Sequence, residues 1–447
     1  MIVIIGAGIS GLSTAWFLHR RGNEVRIIES RDRVGGVIKS QEKDGYLFEQ
    51  GPNSTLRRPE ATNDALGRLV EQVGLKQHLQ VASPEAQKRY VLRGGRLRPL
   101  PATPLALLTS DLFSWSARLR LLCEPFIGKS HEEETIASFV ERRLGREFLD
   151  YAVDPFVSGV YAGDPRQLSA WAAVARVHAL ERDYGSLVLG AIAKGRRSGG
   201  PAGKLISFDR GMSALPDTIA ARLPQGSIET NSRIERMSHD PEGWRIQITK
   251  PTGIMELVAR HLVLAVPAGE AARLLEPLSS EAARLLASIP YAPIVSLALG
   301  YPRNQVHHPL DGFGFLVPRR EGMRTLGALF SSTLFSGRAP SGKALITAFM
   351  GGTTDAEAVT LDEEALLRRI DEDMETTIGT EAPPDMAYLS RHQNAIPQYT
   401  LGHLDRVARI KSLLEAFPGL HLRASWSEGI SVADCIRNGE KLANRLS

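Results

Sequence analysis

Residues 1–29 read MIVIIGAGISGLSTAWFLHRRGNEVRIIE, and this stretch decides the fold. An apolar, β-branched run comes first and is typical of a buried parallel strand. A GxGxxG turn follows it, and the next residues have the pattern of a helix that ends at Gly22. A second β-branched run then ends at Glu29. Strand, turn, helix, strand and acid in this order predict the start of a Rossmann-like nucleotide-binding fold.

The three glycines of the turn have different physical roles. Gly6 allows the tight turn, Gly8 lets the backbone approach a pyrophosphate, and Gly11 lets the helix pack closely on the strand. The helix N-terminus favours the negative charge of a pyrophosphate, and Glu29 is placed to accept hydrogen bonds from ribose hydroxyls. The pattern predicts a bound dinucleotide, and the alternative is a glycine-rich turn without a ligand. The predicted contacts are Gly6, Gly8, Ile9, Ser10, Gly11 and Glu29.

A second glycine-rich turn follows the acid. Arg33, Gly35 and Gly36 add a cation and backbone N–H groups beside the first turn. This turn resembles the R-x-G-G turn that follows the acidic residue in amine oxidase-like flavoproteins, and it favours FAD over a nicotinamide cofactor. In such flavoproteins a Gly-Pro turn like the one at Gly51 lies near the flavin ring. The further predicted FAD contacts are Ser30, Arg33, Gly35, Gly36, Gly51, Pro52 and Asn53.

Later motifs resemble one branch of these flavoproteins, the oxygen-dependent protoporphyrinogen oxidase family. They are FVERRLG at residues 139–145, DPFVSGVYAGDP at 154–165, YGSLVLG at 184–190, GFGFLVP at 312–318 and IPQYTLGH at 396–403. The resemblance runs with gaps over nearly the whole chain. It implies a mixed α/β protein with the amine oxidase-like flavoprotein fold, in which a Rossmann-like FAD-binding domain joins a β-sheet substrate domain and a helical insertion.

The resemblance also implies the reaction. In this family FAD-dependent oxidation converts protoporphyrinogen IX to protoporphyrin IX in haem biosynthesis, with O2 as the acceptor and release of H2O2. Because the flavin accepts the hydride equivalents, neither a Ser/His/Asp triad nor a metal is expected. Three alternatives stay open: oxidation of coproporphyrinogen III, an amine oxidase or carotenoid desaturase-like reaction on the same fold, and a non-catalytic flavoprotein fold kept for binding.

The substrate of this family sets the requirements for its site. A porphyrinogen is a large apolar macrocycle with carboxylate side chains, so the site needs room, apolar walls and a cation. Arg89 is the candidate propionate clamp, and its alternative is a surface arginine on a hairpin. Asn53 is the polar group expected to face flavin and substrate, and it is the one catalytic candidate. The other predicted contacts are Phe313, Leu316 and Val317, which sandwich the rings or pack a core, and the small Gly159, Ala162 and Gly314.

The domains are predicted to be discontinuous, since the buried strand at residues 262–267 belongs with the N-terminal ones. Ile234 matches the place where the backbone of this family holds the adenine. The predicted units are residues 1–81, 206–269 and 399–447 for FAD binding, 82–102 and 270–398 for the substrate, and 103–205 for a helical, membrane-associating unit.

Composition limits the partners. The chain has 447 residues, which suits two or three domains. Its net charge of +4 is spread along the chain, so it does not indicate nucleic-acid binding, although it suits an anionic substrate or membrane surface. Two cysteines are too few for a disulfide framework or a CxxC metal site, and they favour the cytoplasm. A homodimer is left open.

A membrane surface is the second expected partner. Residues 104–126, PLALLTSDLFSWSARLRLLCEPF, mix large apolar residues with arginines, as amphipathic helices do. The family uses the equivalent insertion to lie on a membrane, and this implies peripheral attachment on the cytoplasmic side. The alternative is a helical unit packed on its own core. The predicted membrane contacts are Leu108, Leu112, Phe113 and Trp115.

The stretch HLRASWSEGISVADCI, residues 421–436, resembles the closing flavin segment of the family. There the backbone N–H groups at a helix start face the flavin pyrimidine, and this implies contacts from Gly429, Ile430 and Val432. Cys435 is expected to pack in the helix. The segment departs from the family pattern LAG-x-S-Y, because Leu422-Arg423-Ala424 and Trp426 stand there. Two alternatives stay open: the alanine methyl group is tolerated, or the pocket is altered and holds FAD more weakly.

Overall fold

A computed structural model describes residues 1–58, 64–101, 106, 109–197 and 203–446. The mixed α/β fold predicted from the sequence is confirmed. In chain order its strands are β1 (Ile2–Ile5), β2 (Val25–Ile28), β3 (Ser40–Lys43), β4 (Tyr46–Glu49), β5 (Thr55–Arg57), β6 (Leu79–Val81), β7 (Arg89–Arg93), β8 (Arg96–Pro99), β9 (Lys204–Phe208), β10 (Ile228–Glu229), β11 (Arg233–Asp240), β12 (Gly243–Lys250), β13 (Gly253–Ala259), β14 (His261–Leu264), β15 (Tyr291–Pro302), β16 (Gly314–Leu316), β17 (Thr325–Leu329), β18 (Lys343–Gly351), β19 (Met386–Pro397) and β20 (Leu420–Leu422).

The α-helices of the described residues surround these sheets. In chain order they are α1 (Ile9–His19), α2 (Ala65–Gln72), α3 (Trp115–Cys123), α4 (Ile136–Arg143), α5 (Arg146–Phe148), α6 (Asp154–Tyr161), α7 (Ala170–Ala173), α8 (Ala175–Tyr184), α9 (Leu187–Arg197), α10 (Ala214–Arg222), α11 (Ala268–Leu275), α12 (Ser280–Ala287), α13 (Ser331–Leu334), α14 (Glu363–Ile378), α15 (His403–Leu414), α16 (Ser425–Glu428) and α17 (Val432–Leu446).

A five-stranded parallel sheet in the order β10-β2-β1-β14-β20 carries the glycine-rich turn. Ile2 and Ile4 pack on one face, against α1 and α17, while Val3 and Ile5 pack on the other, against β12 and α11. Each such side chain contributes about 1.5–3 kcal/mol by leaving water. Burial on both faces is why the strand has an unbroken apolar sequence rather than an alternating one.

A seven-stranded mixed sheet in the order β19-β15-β18-β17-β16-β7-β8 forms the second layer. One of its faces packs against α14, with residues such as Phe315 and Ala348 opposite Ile370 and Met374. The opposite face meets the helical region, because Val91 on β7 joins the core of that region. The central strands therefore lie between two layers of helices.

Helices α3 to α9 form the third part of the molecule. A buried ion-pair network holds them together: Arg143 lies 2.5 Å from Glu181 and 3.2 Å from Glu124, and all three side chains are inaccessible or nearly so. Glu124 also accepts the backbone N–H of Leu187 at the start of α9. Loss of one partner would cost about 3–5 kcal/mol, because a buried charge would stay unpaired. The boundaries between the predicted units stay a prediction.

Candidate active site

The glycine turn between β1 and α1 combines tight packing with open space. A side-chain carbon on Gly11 would lie 1.9 Å from the carbonyl oxygen of Gly6, so only glycine lets α1 approach the strand this closely. A carbon on Gly8 would meet no atom within 4 Å. Helix α1 has no side-chain cap at its N-terminus, so its first backbone N–H groups face this space. Close packing of the helix therefore requires Gly11, whereas the open space for a ligand lies at Gly8.

Glu29 lies directly below this turn, at the carboxyl end of β2. Its side chain is buried and accepts the backbone N–H groups of Ala7 at 2.8 Å and Arg31 at 2.9 Å. Ser30 is exposed beside it. The carboxylate is thus held at the edge of the open space, as recognition of a ribose requires.

The second glycine turn closes the same cradle. Gly35 pairs with Gly8 in a parallel bridge, and a side-chain carbon on Gly36 would lie 3.2 Å from the Cα of Gly8. Arg33 donates hydrogen bonds to the carbonyl oxygens of Val34 at 3.0 Å and Gly36 at 2.7 Å, so its guanidinium holds the turn together. Two glycine turns, an uncapped helix start and a buried acid fit the pyrophosphate and ribose of FAD.

The predicted adenine contact lies on β11. Ile234 is buried, and its carbonyl oxygen accepts a hydrogen bond from the Arg273 guanidinium at 2.7 Å. The pairing of β11 with β12 shifts between Ile234 and Arg236, which makes the strand irregular there. A role for Ile234 in holding adenine stays a prediction.

A buried ion pair that the sequence did not indicate lies just before the Gly51-Pro52-Asn53 turn. Glu49, the last residue of β4, lies 2.8 Å from Arg338 and also accepts the backbone N–H of Met212 at 2.9 Å. Burial raises the pKa of Glu49, while Arg338 acts in the opposite direction. The Asn53 amide donates to the carbonyl oxygen of Gly51 at 3.2 Å. Asn53 is half-buried and shares a small cavity with Glu49 and Arg338, and its contact with the flavin stays a prediction.

The closing segment is organised by Tyr399, which sequence reasoning did not assign. The Tyr399 hydroxyl accepts the N–H of Gly429 at 3.0 Å and donates to the carbonyl oxygen of Ser425. Ile430 follows at intermediate exposure, and Val432 begins α17 in the apolar core. The tyrosine of the IPQYTLGH motif therefore positions the residues predicted to face the flavin. Its position in that motif was the sequence feature that could have indicated this role.

The departures from the family pattern in this segment are accommodated by packing. Trp426 is fully buried, and its indole N–H donates to the carbonyl oxygen of Val266 at 3.1 Å. Arg423 is also buried and lies 3.2 Å from Glu428, although burial lowers the pKa of its guanidinium. Ala424 has φ −143° and ψ 160°, an extended backbone that needs no glycine. A tolerated methyl group and weaker FAD binding stay the two alternatives.

Cys435 is buried at the first turns of α17. Burial raises the pKa of its thiol, so the thiolate needed for nucleophilic chemistry is disfavoured. The residue packs in the helix.

His403 begins α15 and His421 lies in β20, and burial lowers the pKa of each to about 4. The unfolded chain binds protons at an ordinary pKa near 6.5, whereas the folded chain does not. The two buried neutral histidines therefore contribute their full stabilisation above a pH of about 6.5. This stabilisation is lost as the pH falls from about 6.5 toward about 4.

We expect the free energy of unfolding to fall over this window by up to about 1.4 kcal/mol per pH unit for each histidine. His403 stacks on Tyr399 with ring centroids 4.2 Å apart, and His403→Phe retains a ring there while removing a titrating group. The urea concentration at the midpoint of unfolding should therefore change less steeply with pH in His403→Phe than in the wild type. Equal slopes in the two proteins would contradict this account.

Strand register brings the substrate candidates onto one face of the seven-stranded sheet. Leu316 lies opposite Gly327, which lies opposite Phe349 on β18, and Gly314 lies opposite both Leu329 and Arg89. Directly opposite residues point to the same side of a sheet. We call the surface formed by Arg89, Leu316, Leu329 and Phe349 the Leu316 face. Sequence reasoning missed Leu329 and Phe349, because their register was unknown.

Helix α6 covers the middle of the Leu316 face. A side-chain carbon on Gly159 would lie 2.5 Å from the Cδ2 of Leu316, so the helix approaches the sheet closely at this glycine. Leu316, Leu329 and Phe349 remain partly exposed. An apolar, partly open surface under a helix suits a large flat ligand.

Arg89 lies at the rim of the Leu316 face, where its side chain is exposed. Its guanidinium carbon is 5.2 Å from the ring centroid of Phe313, a cation–π contact that orients the fork. The acid on the neighbouring loop, Asp311, is engaged by Lys88 and by Tyr90 at 2.6 Å instead. The N–H donors of Arg89 thus face solvent, where a carboxylate can approach.

Three predicted substrate contacts have packing roles that the sequence did not indicate, and their contact with a substrate stays a prediction. Val317 points away from the Leu316 face and packs in the core with α14. Ala162 is buried at the C-terminus of α6 with φ +49°, and its carbonyl oxygen accepts the N–H of Thr353 at 2.8 Å. Gly314 is small because a side-chain carbon there would lie 2.0 Å from the carbonyl oxygen of Ala328.

A family model described as flavin containing amine oxidoreductase matches residues 9–447. The chain belongs to this family. Rice (Oryza sativa subsp. japonica) chloroplast protoporphyrinogen oxidase is 33% identical over 100% of this chain and 88% of its own length. Human protoporphyrinogen oxidase is 31% identical over 99% and 97% of the two chains, and coproporphyrinogen III oxidase of Bacillus subtilis is 27% identical over 98% and 96%. The resemblance and the prediction of FAD as cofactor are confirmed, and the chain is an oxidoreductase.

Solved structures share the fold. A crystal structure of an Exiguobacterium protein named as a candidate protoporphyrinogen oxidase has a TM-score of 0.84 at 23% identity, covering 100% of this chain and 98% of that chain. Putrescine oxidase, with a TM-score of 0.70 at 17% identity, covers 100% of this chain and 98% of its own. At these identities the likeness shows the amine oxidase-like flavoprotein fold alone.

Proposed function

We propose that this protein oxidises protoporphyrinogen IX to protoporphyrin IX, with O2 as the acceptor and release of H2O2, in haem biosynthesis. The carrying observation is the Leu316 face, an apolar surface with the exposed guanidinium of Arg89 at its rim. This arrangement matches an apolar macrocycle with carboxylates at one edge. The protoporphyrinogen oxidases related to this chain support the same substrate.

The residues have separate roles in this proposal. Leu316 and Phe349 hold the rings by apolar contact, and Arg89 orients them by binding a propionate. Tyr399 positions the Gly429 segment by accepting the N–H of Gly429, and the backbone N–H groups of the residues that follow favour negative charge nearby. Bound FAD supplies the hydride acceptor. The protein's share of catalysis is therefore orientation and electrostatics.

The test is turnover by the purified, FAD-loaded protein. We expect protoporphyrinogen IX to yield a fluorescent porphyrin with matching O2 consumption and H2O2 formation, faster than coproporphyrinogen III does. An FAD-loaded protein that oxidises neither porphyrinogen refutes the proposal. Turnover of an amine with no porphyrinogen activity would make it an amine oxidase, but Trp426 is buried in the core and cannot form an aromatic cage for an amine.

Peripheral membrane attachment is the second part of the proposal. Trp115, Leu119, Leu122 and Phe126 recur at helical spacing on α3 and the turn after it. Their exposed fractions are 73%, 61%, 61% and 89%, so they form one exposed apolar stripe. No helix in the described part of the chain is long and apolar enough to cross a bilayer. The stripe suits insertion into one leaflet of a bilayer.

This stripe corrects the predicted membrane contacts. Trp115 is exposed as predicted, but Leu112 and Phe113 are buried in the core of the helical region. They precede Ser114, whose side chain caps α3, so they point inward before the helix begins. Leu108 lies outside the described residues.

We expect Leu122→Ser/Phe126→Ser to float with anionic liposomes at least about tenfold less than the wild type, since each lost side chain forgoes about 1.5–3 kcal/mol of burial. Stability should change little, because both positions are exposed. Ile254→Ser, at an equally exposed apolar position on β13, is the matched control. If the wild type never floats, peripheral attachment is refuted.

A further inference from the structure

The ion pair of Glu49 and Arg338 joins three distant parts of the chain beside residues 50–54, which we call the Asn53 turn. Glu49 ends β4, and Arg338 lies between α13 and β18. The carboxylate and the guanidinium are 2.8 Å apart, and each side chain is 3% exposed. Arg338 also donates to the hydroxyl of Ser207 on β9 at 2.7 Å. One guanidinium therefore holds β4, β9 and the segment before β18 together.

This network brackets the Asn53 turn at both ends. Glu49 comes directly before the turn, and Thr55, directly after it, begins β5. Thr55 lies opposite Ile206 on β9, and Ile206 is the neighbour of Ser207. The turn thus leaves the ion pair at Glu49 and returns to the same network at Thr55, so its position depends on the pair.

Strand β4 packs on the same side of the seven-stranded sheet as the Leu316 face. Its Phe48 joins Ala298 of β15 in one apolar cluster. Ala298 lies opposite Thr347, and Thr347 lies opposite Leu329, which belongs to the Leu316 face. Directly opposite residues point to the same side of a sheet. The end of β4 that the ion pair fixes therefore lies on the side of the sheet that is proposed to hold the substrate.

The carboxylate of Glu49 also contacts the core of the parallel sheet. It accepts the backbone N–H of Met212 at 2.9 Å and the hydroxyl of Ser40 at 2.5 Å. Met212 packs in the apolar core that contains α1 and α17. Burial raises the pKa of Glu49, and Arg338, Ser40 and Met212 act in the opposite direction. Glu49 thus connects the core of the glycine turn to the substrate sheet through charged and polar contacts.

A small cavity separates the ion pair from close packing on one side. Glu49, Asn53, Arg338 and Ser331 are among the residues that line it. The hydroxyl of Ser331 is 2.8 Å from that of Thr347, in the row of opposite residues that leads to the Leu316 face. The cavity leaves room beside the Asn53 side chain, so loss of the pair would let the turn shift.

We propose that Glu49 and Arg338 are positioning residues, whose ion pair fixes the Asn53 turn relative to the Leu316 face. This inference rests on the proposed function and on the predicted place of the turn near the flavin ring. The pair touches neither the ring nor the macrocycle in this account. It sets their separation and angle, on which hydride transfer depends steeply.

The test uses Glu49→Gln/Arg338→Met, which leaves neither partner as an unpaired buried charge. Stopped-flow absorbance of the FAD-loaded protein separates its two half-reactions. We expect reduction of FAD by protoporphyrinogen IX to be at least about tenfold slower, because misorientation slows the reacting step. Reoxidation by O2 should be unchanged, since it needs no oriented macrocycle. The KM for protoporphyrinogen IX should change little, because Arg89 stays in place.

Arg143→Met/Glu181→Gln is the matched control, because it removes an equally buried ion pair within the helical region. Glu124 keeps the backbone N–H of Leu187 as a donor there. We expect both double variants to lose thermal stability, but only the Glu49 and Arg338 variant to reduce FAD slowly.

Two further comparisons separate positioning from general stability. Arg338→Lys keeps the charge beside Glu49 but lacks the planar fork that reaches Ser207 as well, so it should recover stability and only part of the reduction rate. In the FAD-free protein, amide hydrogen exchange over residues 50–54 should be about tenfold faster in the Glu49 and Arg338 variant and unchanged in the control.

Equal rates of FAD reduction in variant and wild type would overturn the positioning role, as would unchanged hydrogen exchange in the Asn53 turn. Equal slowing of both half-reactions, or loss of FAD from the variant, would also overturn it, since the pair would then support the cofactor site as a whole. An FAD-loaded wild type that neither porphyrinogen reduces refutes the proposed function instead. Hydrogen exchange requires no turnover, so the two failures are distinguished.

Discussion

Gly8→Ala is expected to fold normally and to lose FAD. A side-chain carbon at Gly8 would meet no atom within 4 Å, and its φ of −71° and ψ of 176° suit alanine. The added methyl group instead occupies the space through which a pyrophosphate approaches the N-terminus of α1. We expect the FAD dissociation constant to rise at least about tenfold, with thermal unfolding of the FAD-free protein nearly unchanged. Flavin fluorescence titration and calorimetry measure the two quantities.

Gly11→Ala is the matched comparison. Its carbon would lie 1.9 Å from the carbonyl oxygen of Gly6, so the first turn of α1 must shift against β1. This overpacking should cost about 1–3 kcal/mol in the FAD-free protein. Gly8→Ala thus tests ligand binding by the turn, whereas Gly11→Ala tests its packing. If Gly8→Ala binds FAD like the wild type, the turn is not the pyrophosphate site.

This contrast shows why the FAD-binding core could be predicted from the sequence. Its strand, turn, helix and acid are adjacent in the chain, and each glycine has a local geometric cause. Glu29 reaches the turn through one short backbone contact, from the N–H of Ala7. No long-range information was needed to place these residues together.

The substrate side depends on long-range register, and there the sequence was less informative. Leu316 and Phe349 come together only because β16, β17 and β18 are adjacent with a particular register. Because side chains alternate along a strand, the neighbours Leu316 and Val317 must point to opposite faces of the sheet, and this much could be predicted from the sequence. Motif resemblance placed both residues at the site, and only one of them faces it.

The helical region shows a related limit. Its amphipathic composition predicted a membrane stripe, but the position of that stripe depends on where α3 begins. Ser114 caps the helix and thereby fixes which residues face outward. Phe113 is buried, and Leu119 is exposed. A serine followed by regularly spaced apolar residues was the available signal.

The closing segment differs in another way. Arg423 and Trp426 looked incompatible with a flavin pocket, because their partners were unknown. Glu428 and the carbonyl oxygen of Val266 provide those partners, so the substitutions are part of the packed core. Tertiary hydrogen bonds of this kind cannot be derived from local pattern.

Arg89→Ala is expected to raise the KM for protoporphyrinogen IX by about tenfold to a hundredfold, with kcat changed little. The exposed guanidinium lies at the rim of the Leu316 face, so it contributes binding to a remote carboxylate rather than to the reacting carbon. Arg89→Lys should recover part of the effect, since it keeps the charge but not the planar fork. Steady-state kinetics with the FAD content measured in each variant tests this.

Arg96→Ala is the matched control for Arg89→Ala, since Arg96 is an exposed arginine on the other strand of the same hairpin. Its removal should leave the KM unchanged. A loss of bound FAD in Arg89→Ala would show that Arg89 supports the structure of the cofactor site. A fall in kcat at unchanged KM would instead show that Arg89 stabilises the transition state of the reaction. A selective rise in KM distinguishes a propionate clamp from both, because an interaction equally strong in ground and transition states alters binding alone.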